Sequence, residues 1–242
     1  MYNRFVKTSN VMDFLAGFTA LETRGAAESC FLLIAGKAGL GKTSTVRWWG
    51  LSNQINAIYI RATKKITPHW ILAEIVRSLG QEPDRRMEYV FAQALKLVAT
   101  ARRPIIIDEA EHCLDDPAVL ESVRDITDLT ETPVILVGYD KIRAKIQPYE
   151  QLSSRISAVV EFKAYKLEDV RTCCSELAEV EIADDLVESI LKSSGGRIRL
   201  IKEAVASAER HGKRNKLSTV TLADMRGQVV INDWTKAAKR AS

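Results

Sequence analysis

Long hydrophobic runs are missing from this 242-residue chain. No stretch approaches the roughly 20 apolar residues a membrane span requires, so no membrane partner is expected. The opening residues MYNRFVKTSN hold no signal-peptide core, and a cytoplasmic location is the expectation. Cysteine and histidine are scarce. The four cysteines (Cys30, Cys113, Cys173 and Cys174) form no C-x-x-C pair and the three histidines are scattered, which argues against a disulfide framework or a zinc site and fits a reducing compartment. Internal repeats and low-complexity segments are absent too, excluding a solenoid. With 46% hydrophobic and 27% charged residues, the composition is that of an ordinary globular protein long enough for one α/β core and a small accessory domain.

Against that background one stretch carries chemistry. The apolar run from Cys30 leads into Gly36-Lys37-Ala38-Gly39-Leu40-Gly41-Lys42-Thr43-Ser44, followed by a helix-like segment. This is the G-x-x-x-x-G-K-[ST] phosphate loop, with a strand before it and a helix after it. Glycines let the backbone curl so that successive N–H groups face phosphate oxygens, and the helix N-terminus adds partial positive charge. Lys42 can reach the β- and γ-phosphates, and the Thr43 hydroxyl can sit on Mg²⁺. A nucleoside triphosphate, ATP with Mg²⁺, is the expected cofactor, held by residues 36–44.

A second motif turns binding into expected hydrolysis. Pro104-Ile-Ile-Ile107-Asp108-Glu109 reads as a buried strand ending in two carboxylates. Asp108 is placed to hold Mg²⁺ through water, and Glu109 to polarise the attacking water, because phosphoryl transfer depends on positioning and charge stabilisation.

Around these motifs strands and helices alternate. Strands are predicted at the run after Cys30, at 57–62, 105–107, 133–138 and 158–162. Helices are predicted from the phosphate loop, over 70–79, over 87–101 and over 119–129. Such alternation predicts an α/β fold, a parallel five-stranded sheet between helices, with ligand sites at the carboxyl ends of its strands. After Tyr165 only helices are expected: 167–178, 184–194, 198–209 and a short one at 221–229. Trp48 and Trp49 are read as packing residues, and Cys173-Cys174 as core-facing or idle.

A phosphate-loop core followed by a helical lid resembles an AAA+ ATPase. The resemblance implies a nucleotide-binding domain at 1–164, a lid at 165–228 and a basic tail at 229–242. It implies an arginine finger at Arg155, in Leu152-Ser-Ser-Arg155, and a sensor-2 arginine at Arg199, in Gly195-Gly-Arg-Ile-Arg199. It also implies nucleotide contacts from Phe5 and Val6. Sensor 1 departs from the usual Asn, Ser or Thr, since Gly138 is followed by Tyr139 and Asp140. Either could serve, and slow hydrolysis is expected. Within AAA+ proteins, RFVKTSNV, IIIDEAEH, LSSRI and GGRIRLIKEAVASAERHGK resemble the phage Mu transposition protein B group of target-selection ATPases. That resemblance implies ATP-dependent assembly into a homo-oligomer, as a filament or ring, on double-stranded DNA. It also implies a transposase partner that promotes hydrolysis, in a bacterial cell or the bacterial host of a phage.

Charge distribution bears on the DNA. Residues 197–242 hold eleven Lys/Arg against four Asp/Glu, so the positive excess lies at the C-terminal end. It can neutralise phosphates, or it can be a solvated lid face and tail. Two further basic segments, with Arg61, Lys64 and Lys65 and with Arg143 and Lys145, suit phosphate contact without base reading. Two alternatives stand beside transposition: a helicase-loader or initiator-type AAA+ ATPase of replication, and an ATP-gated signalling oligomer.

Overall fold

A computed structural model describes residues 1–52 and 54–226. Five strands, β1 (Phe31–Ala35), β2 (Ile58–Arg61), β3 (Ile105–Asp108), β4 (Val134–Val137) and β5 (Ile156–Glu161), make one sheet in the order β2-β3-β4-β1-β5. Every neighbouring pair is parallel, as the sequence predicts. The three inner strands are buried at every residue, which is why they read as continuous apolar runs. The edge strands β2 and β5 alternate between covered and exposed residues.

Helices α1 (Ser9–Glu22), α2 (Lys42–Gly50), α3 (Pro68–Ser78), α4 (Met87–Ala101), α5 (Ala118–Thr130), α6 (Ile142–Ile146) and α7 (Glu150–Ser153) accompany the sheet. Local chemistry sets their limits. Thr67 caps α3, its hydroxyl accepting from the Trp70 N–H at 3.2 Å, and Pro68 follows at the first helical position. Helix α1 has no counterpart in the sequence expectations. Val11, Phe14, Phe18 and Leu21 lie buried along it, and the Phe14 and Phe18 rings pack on Trp49 with centroids 5.3 and 4.3 Å apart. Trp49 is thus a packing residue, in line with its sequence reading.

Beyond Tyr165 come α8 (Leu167–Leu177), β6 (Glu181–Ile182), α9 (Asp184–Ser194), α10 (Ile198–Asn215) and β7 (Thr219–Val220). The helices-only expectation is corrected here: β6 and β7 pair in parallel as a two-stranded sheet. The short helix expected at 221–229 is not formed over 222–226. Asp224 Oδ2 instead accepts from the Thr221 N–H (2.8 Å) and hydroxyl (2.7 Å), closing a turn. The remainder of that segment and the basic tail 229–242 lie outside the described residues.

Two compact units are distinguished. One comprises residues 13–37 and 42–162 and holds the five-stranded sheet; the other comprises residues 1–12, 38–41 and those from 163 onward. The second unit has its own core of Val170, Cys173, Leu186, Ile190, Ile201 and Val205, joined by Val6. Cys173 and Cys174 face that core, and burial pushes both thiols up to about 12. Buried Asp169 accepts from the Ser9 N–H and hydroxyl at 2.7 and 2.8 Å, tying the chain's first residues into the same unit. Among the described residues no helix is long and apolar enough to cross a membrane.

Candidate functional site

Strand register brings the chemistry to one sheet edge. Arg61 lies beside Asp108, Asp108 beside Val137, and Val137 beside Ile34, so the segments that follow β1, β2, β3 and β4 all emerge at that edge. Directly after β1 a Cβ on Gly36 would stand 2.7 Å from the Phe162 carbonyl oxygen, so only glycine fits. Gly39 and Gly41 hold φ of +84° and +94°, the left-handed region that favours glycine. The left-handed turns they permit curl the backbone, a local geometry that suits a phosphate chain. Thr43 and Ser44 lie on the first turn of α2, Thr43 exposed at its surface.

The Lys42 ammonium donates to the Gly36 and Lys37 carbonyls at 2.5 and 3.0 Å, closing the loop on itself. Burial pulls its pKa below the usual lysine value, while the charges of Glu111, Asp108 and Asp140 oppose that shift. A partly desolvated cation facing acids is poised to trade loop carbonyls for phosphate oxygens.

Asp108 is 3% exposed, and both of its oxygens are engaged. Oδ2 accepts from the Tyr59 hydroxyl at 2.8 Å and Oδ1 from the Glu109 N–H at 3.0 Å. Burial, then the bond to Asp108, raises the Tyr59 pKa and keeps its hydroxyl a donor. Glu109 adopts a left-handed backbone, φ 56° and ψ 39°, which costs a non-glycine residue about 1 kcal/mol. That turn delivers its carboxylate to Arg61, with Oε1 2.5 Å from a guanidinium nitrogen, and puts His112 Nε2 3.8 Å from Oε2. Arg61, expected at the DNA, thus holds the residue expected to activate water.

The other predicted residues fall as follows. Lys64 and Lys65 are exposed beyond β2. Arg143 and Lys145 are exposed on α6, whose Ile142 and Ile146 are buried one turn apart. Tyr139 packs partly buried against the main core with the Lys145 ammonium 5.6 Å from its ring centre, whereas Asp140 is exposed. Arg155 forms a two-pronged pair with Asp128 of α5, both contacts at 2.9 Å, which raises its pKa. In the second unit Val6 lies in the apolar core with Phe5 half-buried beside it in the chain, and Arg199 sits on the first turn of α10. There the stem of Arg197, not that of Arg199, lies over Gly39, 3.6–3.7 Å from where a Cβ would be.

Four residues escape sequence reading: Tyr59, Asp128, Arg197 and Glu111. Only Glu111 carries a local signal, as a third acid within IIIDEAEH.

Comparison with known proteins agrees with this geometry. The family pattern described as an AAA domain matches residues 27–146. The replication factor C large subunits of Pyrobaculum neutrophilum and Pyrobaculum aerophilum are 26% and 25% identical over 194 residues, covering 77% of this chain and 42% of theirs. The chain thus spans about two-fifths of those relatives. Among solved structures, the Aeropyrum pernix ORC1 protein in complex with DNA aligns with TM-score 0.61 at 16% identity, covering 93% of this chain and 65% of that one. Cdc6p of Pyrobaculum aerophilum aligns with TM-score 0.63 at 18% identity, covering 93% and 68%. The Thermotoga maritima RuvB Holliday junction branch migration motor aligns with TM-score 0.59 at 22% identity, covering 92% and 70%. The fold is that of an AAA+ phosphate-loop NTPase.

Proposed function

We propose that this protein binds ATP with Mg²⁺, hydrolyses it, and works as a homo-oligomer on double-stranded DNA in the manner of replication-initiator and loader ATPases. The observation that carries the reading is the Arg61–Glu109 pair, which joins a basic loop to the carboxylate at the phosphate site. Residues 36–44 would cradle the phosphates, and Thr43 with Asp108 would hold Mg²⁺, which when bound offsets phosphate charge. While Arg61 holds Oε1 of Glu109, that oxygen is not available to orient water. A DNA phosphate that draws Arg61 away frees Glu109, so hydrolysis follows DNA engagement. Similarity to replication factor C, ORC1 and Cdc6 supports the replication setting better than the transposition setting. Transposition is the second reading, favoured by the four stretches that resemble the Mu B group. Stimulation by a replicative helicase or by a transposase separates the two, and turnover indifferent to DNA would point to the signalling oligomer instead.

The DNA part is tested by salt titration. Lys64→Ala with Lys65→Ala is expected to weaken duplex binding equally on all sequences and to flatten the salt slope by about one unit per lost phosphate contact. Nucleotide affinity should stay as it was. An unchanged slope would move the DNA path elsewhere.

Arg155 is proposed to reach the nucleotide of a neighbouring subunit, and for that it must leave Asp128. Asp128→Ala is expected to raise turnover at high protein concentration up to about fivefold, since a partly exposed pair is worth up to about 1 kcal/mol. Arg155→Ala is expected to lower turnover by about 10³-fold. Turnover measured against protein concentration checks both. Normal hydrolysis by Arg155→Ala would leave that pair a structural tie.

A further inference from the structure

One carboxylate at the strand ends has an oxygen without a partner. Glu111 belongs to the 3₁₀ turn Ala110–Leu114, two residues beyond Glu109. Its Oε2 is the one buried side-chain nitrogen or oxygen among the described residues that lacks a hydrogen-bond partner. An orphaned buried carboxylate oxygen is costly and calls for a reason. Its location supplies one. A Cβ on Gly138, where β4 ends, would come within 2.9 Å of that oxygen, so the carboxylate occupies space that a side chain at Gly138 would claim. Of the three acids acting on Lys42, Glu111 exerts the strongest pull, ahead of Asp108 and Asp140. The Lys42 hydrogen bonds nevertheless go to the loop carbonyls. Both oxygens of Asp108 are already occupied by Tyr59 and Glu109. Tyr139, which follows Gly138, is packed toward the core. A bare phosphate chain entering beside Glu111 would meet a like charge, whereas a hydrated divalent cation would offer the carboxylate a donor.

We propose that Glu111 is a positioning residue for the divalent cation that accompanies the nucleotide, its carboxylate turning out from beside Gly138 to accept from water on that cation. The proposal rests on the reading that the chain binds ATP with Mg²⁺.

Direct binding of a fluorescent ATP analogue, measured with Mg²⁺ and again with EDTA, tests it without any turnover. Glu111→Gln preserves shape and removes charge. In EDTA this variant is expected to bind the analogue as tightly as wild type or severalfold more tightly, because a like charge has gone. The enhancement that Mg²⁺ brings is expected to fall by about tenfold or more, the usual cost of losing an outer-shell partner. Glu111→Asp keeps the charge and shortens its reach; its affinity in EDTA should match wild type while the Mg²⁺ enhancement falls. The aspartate variant carries the test should the glutamine variant prove unstable on thermal melting. Equal changes with and without metal, or an enhancement that survives in both variants, would overturn the proposal and leave Glu111 as a neighbour of Lys42 only. Wild type that binds the analogue in neither condition would instead defeat the nucleotide reading itself.

Discussion

Lys42→Ala is expected to raise the ATP dissociation constant by about 10²-fold or more, enough to abolish binding at ordinary concentrations. The lysine is the charged donor inside the loop, and its two bonds to the Gly36 and Lys37 carbonyls show that it already reaches across the cradle. Phosphate oxygens entering there would replace neutral acceptors with charged ones, and charge-assisted bonds are roughly twice as strong. Burial that lowers the Lys42 pKa also removes the water that would otherwise screen it. Removing the side chain leaves the curl of the loop in place, because Gly36, Gly39 and Gly41 set it, so the melting temperature should move little. Calorimetric titration with ATP checks the prediction. Tight binding by the alanine variant would refute the phosphate-loop assignment, and a collapsed melting temperature would show that the lysine's loop bonds are structural.

Glu109→Gln is expected to slow turnover by about 10²-fold or more while ATP affinity stays within a small factor of wild type. The amide keeps the length of the side chain but is too weak a base to polarise water. The same substitution takes the charge partner from Arg61, so DNA affinity should hold or rise. Arg61→Ala makes the opposite cut. It frees Glu109, and DNA-independent turnover is expected to rise severalfold while the response to added duplex shrinks. Single-turnover hydrolysis with and without duplex, run on both variants, separates these effects. Full turnover in Glu109→Gln would show that another group activates water, and an unaltered basal rate in Arg61→Ala would show that the pair does not restrain the carboxylate.

The parts of this molecule legible in its sequence are those set by local pattern. Inner strands buried on both faces read as near-continuous apolar runs, so FLLIA, VILV and the three isoleucines before Asp108 announce themselves. The spacing of apolar residues alone places helix α4 at Met87–Ala101. The phosphate loop is fixed by glycines whose spacing has a single mechanical purpose. What cannot be read depends on partners distant in the chain. Strands β6 and β7 hold two residues each, too few to show an alternation, and exist because they pair with one another. Arg61 meets Glu109 only through the register of β2 on β3, and Arg155 meets Asp128 only once α5 and β5 are in place. Arg61 therefore reads as a loop cation and Arg155 as a free finger. The packing of the Tyr139 ring against the core is likewise not readable from the sequence.

The strand order also bears on how the chain must be made. Strand β1, which launches the phosphate loop, pairs only with β4 and β5, about a hundred residues later in synthesis. Until those residues leave the ribosome, both edges of FLLIA are open, leaving a segment prone to stick to other chains. Closing so long a loop before any pairing compensates for its entropy makes folding slow. Strand β1 therefore stays incompletely paired until β5 is made, and a nascent chain cut before Ile156 would have β1 with a bare edge.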